Sequence, residues 1–271
     1  MNTICIIKKN NKKHVLFYCN LDILKAIILL CEKVEFMAKS GDDIETQNAN
    51  WKFNGEMVEH FEEHVAKSVP LYREGHELIV NLSDYFVKND SICYELGSSA
   101  GTLTNKLAER HAFRSAKFMG IEIEEDMVTK ANELYKSTNL SFICDDMTTI
   151  NLDKADLIVS YYTIQFIHPK LRQELINKIY DALNWGGAFI LYEKVRANDA
   201  RFQDIISNLY MEYKLDQGYS PEEIIAKAKS LKGVMEPFST EGNIDMLKRA
   251  GFVDILSVQK YMNFEGFLVI K

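Results

Sequence analysis

From Ser91 onward, short apolar runs alternate with longer amphipathic stretches. The runs Ile92–Glu95, Phe118–Glu122, Ser141–Cys144, Leu157–Ser160 and Ala188–Tyr192 are too short for helices, and most are rich in β-branched or aromatic residues, so they predict strands. Between them, Thr102–Glu109, Asp126–Tyr135 and Pro169–Leu183 place apolar residues at helical spacing. Strands alternating with helices of this length predict βαβ units and a mostly parallel sheet. Val253–Gln259 and Phe267–Ile270 are separated by too few residues for a crossover helix, so they predict an antiparallel pair. The expected fold is α/β and Rossmann-like: a seven-stranded, mostly parallel sheet with a terminal antiparallel hairpin.

The first fifty residues follow another pattern. Ile4–Ile7 and Val15–Tyr18 flank a Lys-Lys-Asn-Asn-Lys-Lys stretch and predict a hairpin. Leu21–Met37 has helical spacing, and the polar stretch from Ser40 to Asn50 reads as a linker. Residues 1–50 are therefore expected to be an N-terminal extension, serving either as a cap over a pocket or as a homodimer contact, ahead of one domain over 51–271. That domain should open with helices over about Glu56–Lys67, ended by Pro70, and Gly75–Val87.

Composition narrows the function classes. The 271 residues carry 39 acidic and 32 basic groups, net −7, which does not suit a chain held on nucleic-acid phosphates by general charge. The five cysteines form no C-x-x-C pair and each lies in an apolar stretch, which predicts buried free thiols in a cytoplasmic setting and no metal site. The most apolar run, Leu21 to Cys31, contains Asp22 and Lys25 and falls short of the roughly 20 residues a bilayer needs, so no membrane span is expected.

The most informative stretch is Tyr94-Glu-Leu-Gly-Ser-Ser-Ala-Gly101, at the turn from the first predicted strand into a helix. Gly97 and Gly101 permit positive φ and leave no Cβ between backbone and ligand. A dinucleotide loop would read G-x-G-x-x-G and receive a pyrophosphate. Here Glu95 precedes the turn, and a carboxylate there repels phosphate and suits an ammonium- and sulfonium-bearing ligand. The pattern thus favours S-adenosyl-L-methionine over a nicotinamide dinucleotide. Glu122 ends the second strand, where an acid reaches ribose hydroxyls. Asp146, after the third strand, is placed to read an adenine amine. Ser98 in the loop, Ile123 after Glu122 and Met147 after Asp146 belong to the same expected cofactor site.

The segments Phe61-Glu-Glu-His-Val-Ala-Lys-Ser-Val-Pro-Leu-Tyr72, Glu95 to Gly101, Tyr162-Thr-Ile-Gln-Phe166, Asn184-Trp-Gly-Gly-Ala-Phe-Ile-Leu-Tyr-Glu-Lys194 and Gly218-Tyr-Ser-Pro-Glu-Glu-Ile224 occur in this order. In these the chain, from about Trp51 to Lys271, resembles the carboxy-S-adenosylmethionine synthase (CmoA) family. That family is a branch of the class I methyltransferases concerned with wobble-uridine modification of tRNA. The resemblance implies the class I methyltransferase fold and cofactor contacts at Tyr72, Gly97, Glu122, Asp146, Met147 and Tyr161. Glu122 stands where the family commonly has Asp, and Tyr161 where it usually has Asn. The synthases hold the added carboxylate of their product with an arginine in the helix after G-Y-S. Alignment through Val234-Met235 puts Ala228 there, and a shift by one residue would let Lys229 serve as a point charge. Alanine cannot replace an arginine fork. The expectation is therefore unmodified S-adenosyl-L-methionine, methyl transfer to a small-molecule or RNA acceptor, and S-adenosylhomocysteine as product. Two alternatives stand beside it: a synthase consuming prephenate, and a non-catalytic binding protein. His168, in Phe166-Ile-His-Pro169, is either a catalytic base or a helix cap. Tyr162, Arg196 and Tyr210 are the candidates for contacting the acceptor.

Overall fold

The apolar runs predicted as strands assemble into one sheet. In a computed structural model, the described residues are 57–271, with side chains from Phe61, together with the backbone of Cys5–Lys9, Lys12–Leu16, Ala38–Lys39 and Glu45–Thr46. The chain divides into two compact units, Met1–Ala38 and Lys39–Lys271, a division earlier in sequence than the linker at 40–50 implied. In the first unit Cys5–Lys9 and Lys12–Leu16 pair antiparallel with Lys9 opposite Lys12, so the expected hairpin forms and its ladder runs into the lysines. The helix expected over Leu21–Met37 lies outside the described residues.

In the second unit the strands are numbered β1 (Ile92–Leu96), β2 (Lys117–Glu122), β3 (Leu140–Cys144), β4 (Ala155–Tyr161), β5 (Leu183–Lys194), β6 (Asp254–Tyr261) and β7 (Phe264–Ile270). Their order across the sheet is β6-β7-β5-β4-β1-β2-β3. The β1–β5 neighbours pair parallel, whereas β7 pairs antiparallel with both β5 and β6. The helices are α1 (Met57–Ser68), α2 (Tyr72–Ser83), α3 (Thr102–Arg110), α4 (Glu125–Leu134), α5 (Pro169–Ala182), α6 (Ala200–Asp216), α7 (Pro221–Ser230) and α8 (Thr240–Ala250).

Burial follows from the parallel centre. Leu157, Ile158 and Val159 are consecutive in β4 and all fully buried, because helices cover both faces of a parallel sheet. Leu96, Ile121, Ile158, Ile176 and Leu191 pack in one cluster, and Ile79, Phe118, Leu157, Val159 and Ile190 in another. Each such side chain contributes roughly 1.5–3 kcal/mol relative to exposure. The edge strand behaves differently. Cys93 in β1 is buried and its thiol is pushed well up by desolvation. Cys144 is exposed, contrary to the expectation of buried thiols, because it ends β3, the edge strand of this sheet among the described residues.

Local sequence sets the helix ends that frame the cleft. Leu71 takes a left-handed φ of 56° directly after Pro70, so α2 restarts at Tyr72, earlier than the expected Gly75. Ser220 and Glu223 form a reciprocal capping box at the start of α7, with Pro221 in its first turn. Order reverses between β1 and β4, whose following segments diverge and leave a crevice beyond the strand C-termini.

Candidate active site

A cavity of about 670 Å³ opens in that crevice. Its acids come from α1 (Glu62), the end of β1 (Glu95) and the end of β2 and the turn after it (Glu122, Glu124), and its buried or partly buried lysines from β5, α6 and α7.

Glu95 is buried in the fourth position of β1, and the Thr104 hydroxyl from α3 donates to its Oε2. Burial first, with smaller contributions from Glu62 and Glu122, pushes its carboxyl up to about 8. Glu122 is raised by burial as well. Its Oε1 accepts from the backbone N–H of Ile123 (2.8 Å) and Glu124 (3.1 Å), and its Oε2 from that of Ser99 (2.9 Å). Three of roughly four acceptor positions on a carboxylate are thus occupied, leaving about one for a ligand hydroxyl. The bond to Ser99 ties the glycine turn to the end of β2. Gly97 has φ +78° there, and a Cβ on it would lie 2.2 Å from Thr163 Cγ2, so the turn excludes any side chain. Ser98 Oγ is buried without a hydrogen-bond partner and lines the cavity. An orphaned donor, a side-chain-free turn and two desolvated acids together fit a ligand that offers hydroxyls and positive charge.

The opposite wall of the cofactor end is aromatic. Tyr161 donates its hydroxyl to Tyr72 O at 2.6 Å, and their rings lie 5.1 Å apart. That hydroxyl is therefore committed to the backbone, and Tyr161 offers a ring face where an Asn would offer an amide. Gly75 makes the approach possible, since a Cβ on it would meet Tyr161 Oη at 2.2 Å. His76 packs on both rings and burial pushes it down to about 3, so it is neutral.

Tyr72, Glu95, Gly97, Ser98, Glu122, Ile123, Met147 and Tyr161, all expected from sequence, line this one cavity. So do the acceptor-side candidates Tyr162, Arg196 and Tyr210. Three expected residues are not among the lining. Gly101 is the N-cap of α3 with φ +84°, and a Cβ there would strike the Phe142 ring at 2.4 Å, so its task is helix–strand packing. Asp146 Oδ1 accepts from both Thr148 N and Thr148 Oγ1 at 2.8 Å, closing its own turn. His168 is exposed, N-caps α5 by accepting from Lys170 N at 3.2 Å, and is not placed to act as a base in the cavity.

Sequence reasoning missed the lysines. Lys194 follows a predicted strand that stopped two residues too early; β5 carries on through it. Lys214 and Lys227 sit in helices and read as ordinary solvated charge, yet both are buried and line the cavity. Lys227 Nζ donates to Ser68 Oγ (2.7 Å), contacts His64 Nε2, and lies 5.6 Å from the Tyr219 ring centroid. Ala228 also lines the cavity, whereas Lys229, the shifted candidate, is not in the lining.

Residues 94–187 match the family model described as a methyltransferase domain. A carboxy-S-adenosyl-L-methionine synthase from Staphylococcus epidermidis is 36% identical over 222 residues, covering 82% of this chain and 97% of the relative. A protein of the same name from Campylobacter jejuni is 38% identical over 224 residues, covering 82% and 94%. Among solved structures, an S-adenosylmethionine-dependent methyltransferase, SibL, superposes with a TM-score of 0.53 at 13% identity, covering 73% of this chain and 55% of that one.

Proposed function

The chain belongs to the carboxy-S-adenosyl-L-methionine synthase family, and from that premise we propose that it carboxylates S-adenosyl-L-methionine with prephenate as carboxyl donor. It is an S-adenosyl-L-methionine-dependent enzyme with the class I methyltransferase fold. The cofactor end supports this assignment through Glu95, Glu122, Ser98 and the Gly97 turn, which suit a ligand with cationic groups and ribose hydroxyls. When bound, S-adenosyl-L-methionine supplies the sulfonium-activated methyl carbon that receives the carboxyl group. For balance, prephenate loses its ring carboxyl and its ring hydroxyl, the hydroxyl leaving as water with one proton from that methyl, and phenylpyruvate remains.

What carries the synthase reading is the chain's membership of that family over 82% of its length; on the α7 wall, Lys227 lines the same cavity as the cofactor loop. In the family, as the resemblance implies, this helix holds the product's added carboxylate. Here Lys227, one residue before the arginine position and hydrogen-bonded to Ser68 Oγ, supplies positive charge on that wall as a point charge in place of a fork. The protein's remaining work is to hold two substrates in register and keep water out. The product would serve wobble-uridine modification of tRNA.

Methyl transfer to an acceptor keeps one observation in its favour, Ala228 itself, which removes the fork that would prefer a carboxylated ligand. Incubation of the protein with S-adenosyl-L-methionine and prephenate, followed by mass spectrometry, decides between them. Carboxy-S-adenosyl-L-methionine and phenylpyruvate are expected. Formation of S-adenosylhomocysteine with a methylated acceptor, and no carboxylated product, would overturn the synthase reading.

A further inference from the structure

Two lysines of the cavity, Lys194 and Lys214, face aromatic rings and form no carboxylate ion pair among the described residues. Lys194 ends β5 and Lys214 lies in the last turn of α6. Both ammonium groups approach one ring: Lys194 Nζ lies 4.3 Å and Lys214 Nζ 4.7 Å from the Tyr210 centroid. Lys194 Nζ is also 5.7 Å from the Phe264 centroid. Tyr210 is itself fixed, its hydroxyl donating to Ser68 O at 2.8 Å. Among the described residues neither lysine forms an ion pair with a carboxylate. Glu95 and Glu122, the acids of the cofactor end, are engaged by Thr104 and by backbone N–H groups.

Aromatic faces do not compensate such burial. A cation over a ring gains far less than withdrawing an ammonium from water costs. Two like charges beside one ring add repulsion, and Arg196 adds more to Lys194. The protein responds by easing its protons off: burial, then Lys214 and Arg196, push Lys194 down to about 7, and burial pushes Lys214 down to about 8. An anion entering the cavity would offset all three effects together.

We propose that Lys194 and Lys214, spaced by the Tyr210 ring, form the site that holds the α-keto carboxylate of the co-substrate. The choice between the two carboxylates of prephenate follows from transition-state logic. A salt bridge to the carboxyl group that departs would stabilise it before transfer and raise the barrier to its loss. The lysine pair therefore grips the carboxylate that stays, which prephenate and phenylpyruvate share. The identity of the anion rests on the synthase reading; the existence of a two-lysine anion site does not.

Phenylpyruvate is the probe, because it carries the retained carboxylate and has no carboxyl group to donate. Calorimetric titration of the full-length protein is compared with Lys194→Met and Lys214→Met, which keep most of the apolar stem and remove the charge. Each variant is expected to bind phenylpyruvate at least about tenfold more weakly, the scale of one lost charged hydrogen bond. S-adenosyl-L-methionine titrated into the same preparations reports whether the cavity is folded. In turnover the KM for prephenate should rise in both variants. On the wild-type protein, which needs no variant to fold, phenylpyruvate should suppress reductive methylation of Lys194 as mapped by mass spectrometry. Unchanged phenylpyruvate affinity in both variants, or no protection of Lys194, overturns the proposal, as does a wild-type protein that binds neither phenylpyruvate nor prephenate. Lysine-dependent phenylpyruvate binding without carboxylated product would instead sink the synthase reading and leave the anion site standing. Carboxylated product formed by both variants with unaltered KM would do the reverse.

Discussion

Replacing Glu95 by Gln should move stability and cofactor affinity in opposite directions. In the free protein the Glu95 carboxyl titrates near 8 because it is buried beside Glu62 and Glu122. An unfolded glutamate titrates near 4.3, so between those values the folded chain holds the extra proton, and stability falls as pH rises. One proton corresponds to about 1.4 kcal/mol per pH unit. Glu193, also pushed to about 8 by burial, adds a second slope of the same sign. Glu95→Gln should therefore make stability fall less steeply with pH, by about 1.4 kcal/mol per unit across this range, as followed by denaturant titration. Binding behaves inversely. A cationic ligand needs the carboxylate, so below about pH 8 affinity for S-adenosyl-L-methionine should drop up to tenfold per unit as the acid reprotonates. At higher pH the variant should bind about 10- to 100-fold more weakly than wild type, the scale of one charged contact of 1.5–3 kcal/mol. Calorimetry across this range reads both. The ligand's own amine titrates near 8, so any slope that survives in the Gln variant belongs to the ligand. Equal slopes in the two proteins would refute the placement of Glu95 against the cofactor's positive charge.

Three further outcomes test neighbouring parts of the geometry. Ala228→Arg should restore a two-point grip and tighten carboxy-S-adenosyl-L-methionine relative to S-adenosyl-L-methionine by about 10- to 100-fold; equal affinities for the two ligands would show that position 228 does not face the added carboxylate. Glu122→Ala strands three backbone N–H groups, at Ser99, Ile123 and Glu124, and should cost roughly 1–3 kcal/mol of stability as well as cofactor affinity. Undiminished affinity, measured by calorimetry below the variant's Tm, would remove Glu122 from the site. In native alkylation followed by peptide mapping, Cys144 should react and Cys93 only after unfolding, since one is exposed and the other buried with its thiol pushed up; early labelling of Cys93 would contradict the register of β1.

Periodicity made the sheet legible, because strands buried on both faces leave continuous apolar runs such as Leu157-Ile-Val159. The acids at strand ends were legible for a related reason: a polar residue closing an apolar run must have a partner or a ligand. Of these acids, Glu95 and Glu122 line the cavity. Asp146 does not line it: its Oδ1 accepts from Thr148 two residues on, a local bond that sequence spacing cannot distinguish from a ligand contact. Gly101 likewise lies outside the lining, and a glycine at a strand–helix turn looks alike in sequence whether a ligand or Phe142 occupies the space beside it. The lysines were illegible for a different reason. Their burial comes from helices α6 and α7 meeting the end of α1 at Ser68 and the start of β7 at Phe264, a tertiary event with no trace in local pattern, and Lys214 looks like any cation in the last turn of a helix.

Acids pushed up and lysines pushed down within one cavity give the two ligands opposite proton linkages. Glu95 near 8 must release a proton to receive a cation, so S-adenosyl-L-methionine binds better as pH rises toward 8. Lys194 near 7 must be protonated to receive a carboxylate, so, with the lysine pair as the anion site, keto-acid binding is full below 7 and weakens as pH rises through it. Between these values neither binding step is complete, and each lost decade is offset by a gain in the other. Turnover with both substrates below saturation should therefore form a low, broad maximum near pH 7 to 8, the product of two opposed limbs. Glu95→Gln should flatten the acid limb alone and Lys194→Met the alkaline limb alone. A profile in which either substitution flattens both limbs would mean that one group controls the pair, and the division of the cavity into a cation end and an anion end would be wrong.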